Sequence, residues 1–405
     1  MRPQIRVAAV GVTPPGFKAS GGISAGLQLM RRVAERCETA MYVMSDRDEN
    51  VVDGPLQISL RRASNPMLPF ERFIPRQLTT MSWRPHVDDW LESFAPDIVH
   101  LHNPHPAGAL LMVAKACERR GIPYVISTHG FVEFNDFSRG YGAPRWQRPL
   151  LKRYVRRPLV RVARGAARIM MLSPYEQPIY DDMGVPRGRL CVVPNGVDPY
   201  FLETPSHDDR NKLVARFTMP TDRPLLLFVG NQTPNKGLDV LLRAVTMMHE
   251  ECLVVVAGAI RSPQDNQRLL ASCGIAGGDR RFKFTDFVTK EELRALYHSV
   301  DAFVFPSRAD TLPLVILEAM GSSLPVVASH VGGVPFEVTD DTGLLVPPGD
   351  ASSLAAALDR ICGSPDMRLG MGGRGRRRVI DNFNWDASAE LAVAAYVEIL
   401  APGPR

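Results

Sequence analysis

AFVFPSRADTLPLVILEAMGSSLPVVAS, residues 302–329, decides how this chain folds. It opens with a near-continuous apolar run, AFVF, of the kind that forms a strand buried on both faces. Pro313 follows, and a proline suits the first turn of a helix because its missing N–H has no partner there anyway. LPLVILEAM then reads as a helix, and LPVVAS as a second buried strand. Strand, helix and strand in so short a span make the crossover of a parallel sheet. One residue does not fit a purely structural account. Glu318 sits inside LVILEAM, where its nearest helical neighbours are all apolar or small, and an unpartnered buried carboxylate is costly.

Working outward, the same alternation recurs. In the first half the strand-like runs are 5–12, 39–45, 97–102, 123–130 and 168–173; in the second half they are 224–230, 252–258, 282–287, 302–307 and 324–329. The two series flank the polar stretch PNGVDPYFLETPSHDDRNK, residues 194–212. Two doubly wound parallel α/β domains joined near residues 195–222 are therefore expected, facing a central cleft. The boundaries assigned are 1–197, 198–380 and 381–405, the last a C-terminal helix whose return to the first domain is implied by the family resemblance given below. With 405 residues and 45% hydrophobic composition, two cores are the natural solution.

Composition excludes several classes. The six cysteines, at 37, 117, 191, 252, 273 and 362, show no CxxC spacing, which argues against a disulfide framework or a zinc knuckle. No run reaches the roughly 18 apolar residues of a membrane span. MRPQIRVAAVGV turns at once into a strand pattern and is not read as a leader; a cytoplasmic protein is expected. The formal charge of +5 is uneven: residues 144–168 hold nine Arg or Lys and no Asp or Glu. One basic patch on an otherwise mildly acidic chain is unlike a nucleic-acid-binding protein. In that patch Trp146, Leu150, Leu151, Tyr154 and Val155 are placed on one helix face, the pattern of an interfacial helix on anionic lipid, which gives a peripheral place on the inner face of the membrane as a variant reading.

Open parallel sheets bind ligands beyond the carboxyl ends of their strands, where helix N-termini present free amides. The stretch 308–313 is such a strand end. Asp310 precedes the helix, and Glu318 lies five residues past Pro313, roughly 7 Å along the axis. Two carboxylates flanking free helix amides match a ligand that offers hydroxyls, a diphosphate, then hydroxyls again, as a sugar nucleotide does. Lys236 follows the strand LLLFVG in a similar loop, placed to neutralise a diphosphate; an ordinary loop lysine is the competing reading.

The quoted segments, together with SGG (20–22), DIVHLHNP (97–104), STHG (127–130), VVPNGVD (192–198), LLFVGNQTPNKGLDVLLRAV (226–245), DFVTKEELRALYHSVDAFVFPS (286–307), GLLVPPGD (343–350) and NFNWDASAELAVAAYVEIL (382–400), resemble a retaining glycosyltransferase of family 4, of the two-Rossmann-domain GT-B fold. The resemblance implies that Glu318 binds ribose, that Asp310 holds donor-sugar hydroxyls at the first position of the family's E-x7-E pattern, and that Lys236 binds the diphosphate. It implies His129 near the donor sugar, Gly21 and Gly22 in a glycine loop approached by donor and acceptor, and the amides of Leu314 and Val315 on the distal phosphate. Asn231 stands where the family has a diphosphate arginine, and Asp310 followed by TLP where it has Glu and GFG. The catalytic set is thus His129, Lys236 and Asp310, with Gly21, Gly22, Asn231, Leu314, Val315 and Glu318 binding the donor. UDP is the first expectation for the donor base and GDP the next; the acceptor carries a hydroxyl in a saccharide, lipid-linked molecule or small molecule. No metal and no cofactor beyond the co-substrate are expected. Asp46-Arg47-Asp48 and the pair His100 and His102 are discounted as metal ligands. A natural-product transferase, a sugar-nucleotide epimerase of the same fold and a catalytically silent sugar-nucleotide-binding module are the alternatives.

Overall fold

The computed structural model describes residues 5–15, 21–70, 72–73, 76–103, 105–127, 129, 148–206, 208, 222–258 and 263–401. The apolar runs become two sheets. The first contains β1 (Arg6–Gly11), β2 (Glu38–Ser45), β3 (Glu49–Asp53), β4 (Leu56–Arg62), β5 (Ile98–His102), β6 (Tyr124–Ser127), β7 (Arg168–Met171) and β8 (Leu190–Val192). Its order is β3-β4-β2-β1-β5-β6-β7-β8, parallel except for the β3–β4 pair. The second contains β9 (Leu225–Val229), β10 (Leu253–Ala257), β11 (Phe282–Phe284), β12 (Ala302–Phe305), β13 (Val326–Ser329) and β14 (Gly343–Val346), ordered β11-β10-β9-β12-β13-β14.

In the second sheet the run LLLF explains itself. Leu225 and Leu227 belong to the core on one face, Leu226 and Phe228 to the core on the other. A strand covered on both sides needs no polar alternation, and each fully buried Leu or Phe contributes about 1.5–3 kcal/mol. β3 and β4 went unread because they lack such runs, and β8 and β14, of three and four residues, went unread as well. Asp53-Gly54 turns the chain at a positive φ of 58°, and β3 is an edge strand whose Val52 is 75% exposed.

The helices that matter below are α1 (Gly21–Ala34), α2 (Ala107–Arg120), α3 (Arg157–Gly165), α4 (Leu238–Met247), α5 (Lys290–Tyr297), α6 (Leu314–Gly321), α7 (Val334–Glu337) and α8 (Trp385–Leu400). The described residues form two compact units, which change over between Gly196 and Val197 and again between Asn384 and Trp385. The second change falls four residues beyond the boundary assigned from sequence. The final helix α8 packs on α1 of the first unit.

The basic segment departs from a single amphipathic face. Lys152–Arg156 is a π-helical turn, which breaks the register before α3. Val155 is fully buried and Leu151 packs on the first unit's core, so neither shares an outward face with Leu150 and Tyr154, which are exposed. Trp146 lies outside the described residues. Among the described residues no helix is long and apolar enough to cross a membrane.

Candidate active site

Strand order reverses between β9 and β12 in the second sheet, and between β1 and β5 in the first. At such a switch point the loops leaving two neighbouring strands diverge and open a crevice. The residues singled out by sequence gather at these two places.

In the second unit, Lys236 closes a short 3₁₀ turn, Pro234–Lys236, after β9, and Asp310 lies in the loop after β12. Far apart in sequence, they meet: Lys236 Nζ is 2.5 Å from Asp310 Oδ2, and both side chains are mostly buried. Two glycines let these loops close up. Gly237 has φ 68°, and a β-carbon there would lie 2.0 Å from the Pro306 carbonyl oxygen. Gly332 has φ 48°, and its β-carbon would lie 1.7 Å from the Asp310 carbonyl oxygen. No other residue fits either place. Arg308 ties the loops together, donating to both Asp239 carboxylate oxygens and to the Pro234 carbonyl, each at 2.7 Å. The Arg308 amide donates to the Asn235 carbonyl at 2.7 Å, and Ser307 Oγ donates to the same oxygen at 2.9 Å. Arg308 and Asp239 were not singled out from sequence; their pairing joins a strand end to the start of α4, which only the fold brings together.

Beyond Asp310 the chain enters α6. Pro313 is its N-cap, and no side chain caps the start, so its first amides, from Leu314 and Val315, are left for solvent or a ligand. Glu318 is partly buried one turn further on. Its Oε2 accepts from the Tyr297 hydroxyl at 3.0 Å, and burial pushes the carboxyl up to about 7. Glu337, on α7 behind the same loop, is fully buried; burial and the nearby Asp310 raise its carboxyl well above the usual range. Asn231 is exposed, just before the turn that carries Lys236.

In the first unit, Gly21 and Gly22 are the opening turn of α1 and not a free loop, because the amphipathic run behind them extends the helix to its first glycine. Gly21 faces open space. A β-carbon on Gly22 would come 3.0 Å from His129 Cβ and 3.1 Å from Asn103 Oδ1, and one on Gly26, a turn later, 3.2 Å from His102 Nδ1. The bare glycine face is therefore a seat for histidines. His100, His102 and His129 lie as stacked rings, with centroids 4.1 Å and 5.8 Å apart. Burial holds His100 at about 3 and His129 at about 4, and lowers His102 well below the usual range, so all three are neutral. His100 bridges the Tyr396 hydroxyl of α8 at 2.6 Å and Ser127 Oγ at 2.7 Å. Asn103 Nδ2 donates to Thr13 Oγ1 at 2.6 Å, joining the loops after β5 and β1. Asp48 spends its carboxylate on the Arg62 amide, and among the described residues no group of three metal-ligating side chains forms.

Residues 26–201 match the family described as Glycosyltransferase Family 4, and residues 223–364 match Glycosyl transferases group 1. D-inositol 3-phosphate glycosyltransferase of Frankia alni is 30% identical over 341 residues, 77% of this chain and 80% of its own. The chain belongs to glycosyltransferase family 4. MMP alpha-(1->4)-mannosyltransferase of Mycolicibacterium hassiacum is 29% identical over 312 residues, 75% of this chain and 71% of its own. Sucrose-phosphate synthase of Thermosynechococcus elongatus superposes with a TM-score of 0.78 at 24% identity, covering 98% of this chain and all of the other. Anabaena HepE in complex with UDP-glucose superposes at 0.73 with 17% identity, covering 98% and 100%. The two parallel α/β units are those of the GT-B glycosyltransferases.

Proposed function

We propose that this family 4 glycosyltransferase moves a sugar from a nucleoside-diphosphate donor, UDP first and GDP next, to a hydroxyl acceptor, with retention of anomeric configuration and without a metal. The observation that carries the reading is the switch-point pair Lys236 and Asp310 beside the uncapped start of α6, with Glu318 one turn beyond. Breaking the bond between sugar and phosphate develops negative charge on the departing diphosphate. Lys236 and the amides of Leu314 and Val315 meet that charge, and stabilising a leaving group electrostatically lowers the barrier. With Asn231 neutral, Lys236 carries more of the load. Asp310 accepts hydrogen bonds from donor-sugar hydroxyls and holds the lysine; Glu318 accepts from the ribose. His129, neutral and seated on Gly22, is a hydrogen-bonding group for the sugar and not a cation.

The chemistry suits attack by the acceptor on the face the diphosphate leaves, with a phosphate oxygen taking the acceptor proton. Support for UDP comes from the UDP-glucose held by Anabaena HepE. Assembly of cell-surface polysaccharide or glycoconjugate is the proposed setting. The exposed pair Leu150 and Tyr154, among exposed Arg153, Arg157 and Arg161, favours a contact with an anionic membrane surface. Flotation with phosphatidylglycerol vesicles at low salt tests it, and protein remaining at the bottom ends that part of the reading.

The primary test is thermal stability with UDP, GDP and ADP, with and without Mg²⁺, in wild type and Glu318→Gln. Nucleotide at about 100 times its Kd stabilises by ~2.7 kcal/mol. One nucleotide should shift the wild type without metal and leave the variant unmoved. If none shifts the wild type, the reading is wrong.

A further inference from the structure

Tyr297 ends α5 with its ring fully buried and held edge-on by Phe201 and Phe303, at centroid distances of 5.8 Å and 5.9 Å. A phenylalanine would fill the same space, so packing alone does not explain the hydroxyl. That hydroxyl reaches Glu318 Oε2 at 3.0 Å and is 3.4 Å from the Val315 carbonyl, on the helix whose start is proposed to face the diphosphate. The other charged groups around the Glu318 carboxyl are Asp198, from the segment after β8, and Lys290, from the start of α5. These two pair with each other at 2.6 Å, so their effects on Glu318 oppose and largely cancel. Among the described residues, Tyr297 is the donor in contact with the carboxylate.

We propose that Tyr297 is a positioning residue for donor binding: its hydroxyl holds the Glu318 carboxylate as an anion in one orientation, leaving the second oxygen to accept the vicinal hydroxyls of the nucleotide ribose. The inference rests on the reading of Glu318 as the ribose ligand. The bond works against burial, which has already raised the carboxyl to about 7; without it the midpoint would lie higher still. A hydrogen bond to a charged group is stronger than one to a neutral group, so the ring and the carboxylate support each other only while Glu318 is ionised.

Two measurements test it. In the first, the ligand-free protein carries carboxyl-¹³C glutamate, and the Glu318 signal, assigned by its loss in Glu318→Gln, is followed with pH. Tyr297→Phe should move the midpoint up by about one unit. An unmoved midpoint overturns the proposal. In the second, the Kd of UDP, GDP and ADP is measured from pH 6 to pH 8.5; the nucleotide's own titration is common to all variants. Affinity should rise with pH through the Glu318 midpoint in wild type, and the rise should move to higher pH in Tyr297→Phe. With the sugar donor, KM should rise several-fold in that variant while kcat stays within about twofold, a split that general loosening of the fold would not give. If Glu318→Gln binds nucleotide as wild type does, the ribose reading fails and the donor-binding role of Tyr297 fails with it, even where the ¹³C midpoint has moved. If no nucleotide binds, both are overturned. Should Tyr297→Phe not fold, 3-fluorotyrosine at position 297, a more acidic donor, must move the Glu318 midpoint down.

Discussion

Glu318 sits where folding disfavours its charge. Burial raises its carboxyl from the usual 4.5 to about 7. The folded state therefore binds the proton more tightly than the unfolded chain, and the group's contribution to stability is full below pH 4.5 and lost as pH rises through 7. Glu318→Gln should accordingly stabilise the ligand-free protein at pH 8 by something on the order of 1–3 kcal/mol, with little gain at pH 5, while abolishing nucleotide binding. Urea unfolding at the two pH values checks the first half and thermal shift the second; an isosteric variant no more stable at pH 8 than at pH 5 contradicts the account. Lys236 is the opposite case, a charge already matched by Asp310 at 2.5 Å. Lys236→Ala leaves Asp310 without that partner and, in the proposed mechanism, removes the cation from the leaving group. Turnover should fall about a hundredfold or more with circular dichroism unchanged. Turnover near that of wild type would remove Lys236 from the mechanism. Lys236 and Asp310 were each singled out at a strand end, the lysine with an ordinary loop lysine as the competing reading. Their pairing was not legible, because nothing in the sequence says that residues 236 and 310 touch.

At the scale of elements, the site depends on three strand-end loops being closer than side chains allow. The β-carbon of Gly332→Ala would overlap the Asp310 carbonyl, so the loop after β12 must move. Such a variant should lose stability by more than the ~1 kcal/mol of an ordinary glycine substitution and lose turnover by more than its stability predicts, because Asp310 is displaced. Arg308 works by hydrogen bonds instead. Removing it leaves Asp239 with Arg243 as its remaining cation and frees the turn that carries Lys236. Arg308→Ala should lower the melting temperature by a few degrees and kcat roughly tenfold, whereas nucleotide affinity through Glu318 should change little. Steady-state kinetics beside calorimetry separates the effects. α1 shows the same economy of side chains: GGISAG was legible as a glycine motif, but that Gly22 and Gly26 seat two histidines depends on where β5 and the residues after β6 lie.

At the scale of the whole molecule, the two units answer pH in opposite senses. In the first, His100 and His129 are held neutral with midpoints of about 3 and 4, and His102 lower than its usual 6.5. Their contribution is present above pH 6.5 and lost as pH falls toward those values. In the second unit Glu318 and Glu337 contribute below pH 4.5, and Glu318 ceases to do so above about 7. Hydrogen exchange, corrected for intrinsic rates, should show protection of β5 and β6 falling from pH 7 to pH 5, with α6 and α7 better protected at pH 6 than at pH 8.5. Equal changes in both units would show that these buried groups do not govern the response. The final helix belongs to the first unit's account: Trp385, Ala389, Ala392 and Tyr396 are buried, and Tyr396 completes the His100 bridge. Ending the chain at Asn384 should expose that apolar face and lower the first unit's stability or solubility.

The order of elements, the buried character of the strands, the division into two sheets and the family were all determined by the sequence, because each is written in local runs of apolar residues and the punctuation between them. The edge strand β3 and its neighbour β4 escaped because neither carries a continuous apolar run. The contacts that make a site were decided by the tertiary structure alone: Lys236 with Asp310, Arg308 with Asp239, Tyr297 with Glu318, and the histidine stack on a glycine face. Each joins residues from different elements, and their distances follow from strand order at the two switch points, a property of the folded sheet that no local stretch of sequence contains.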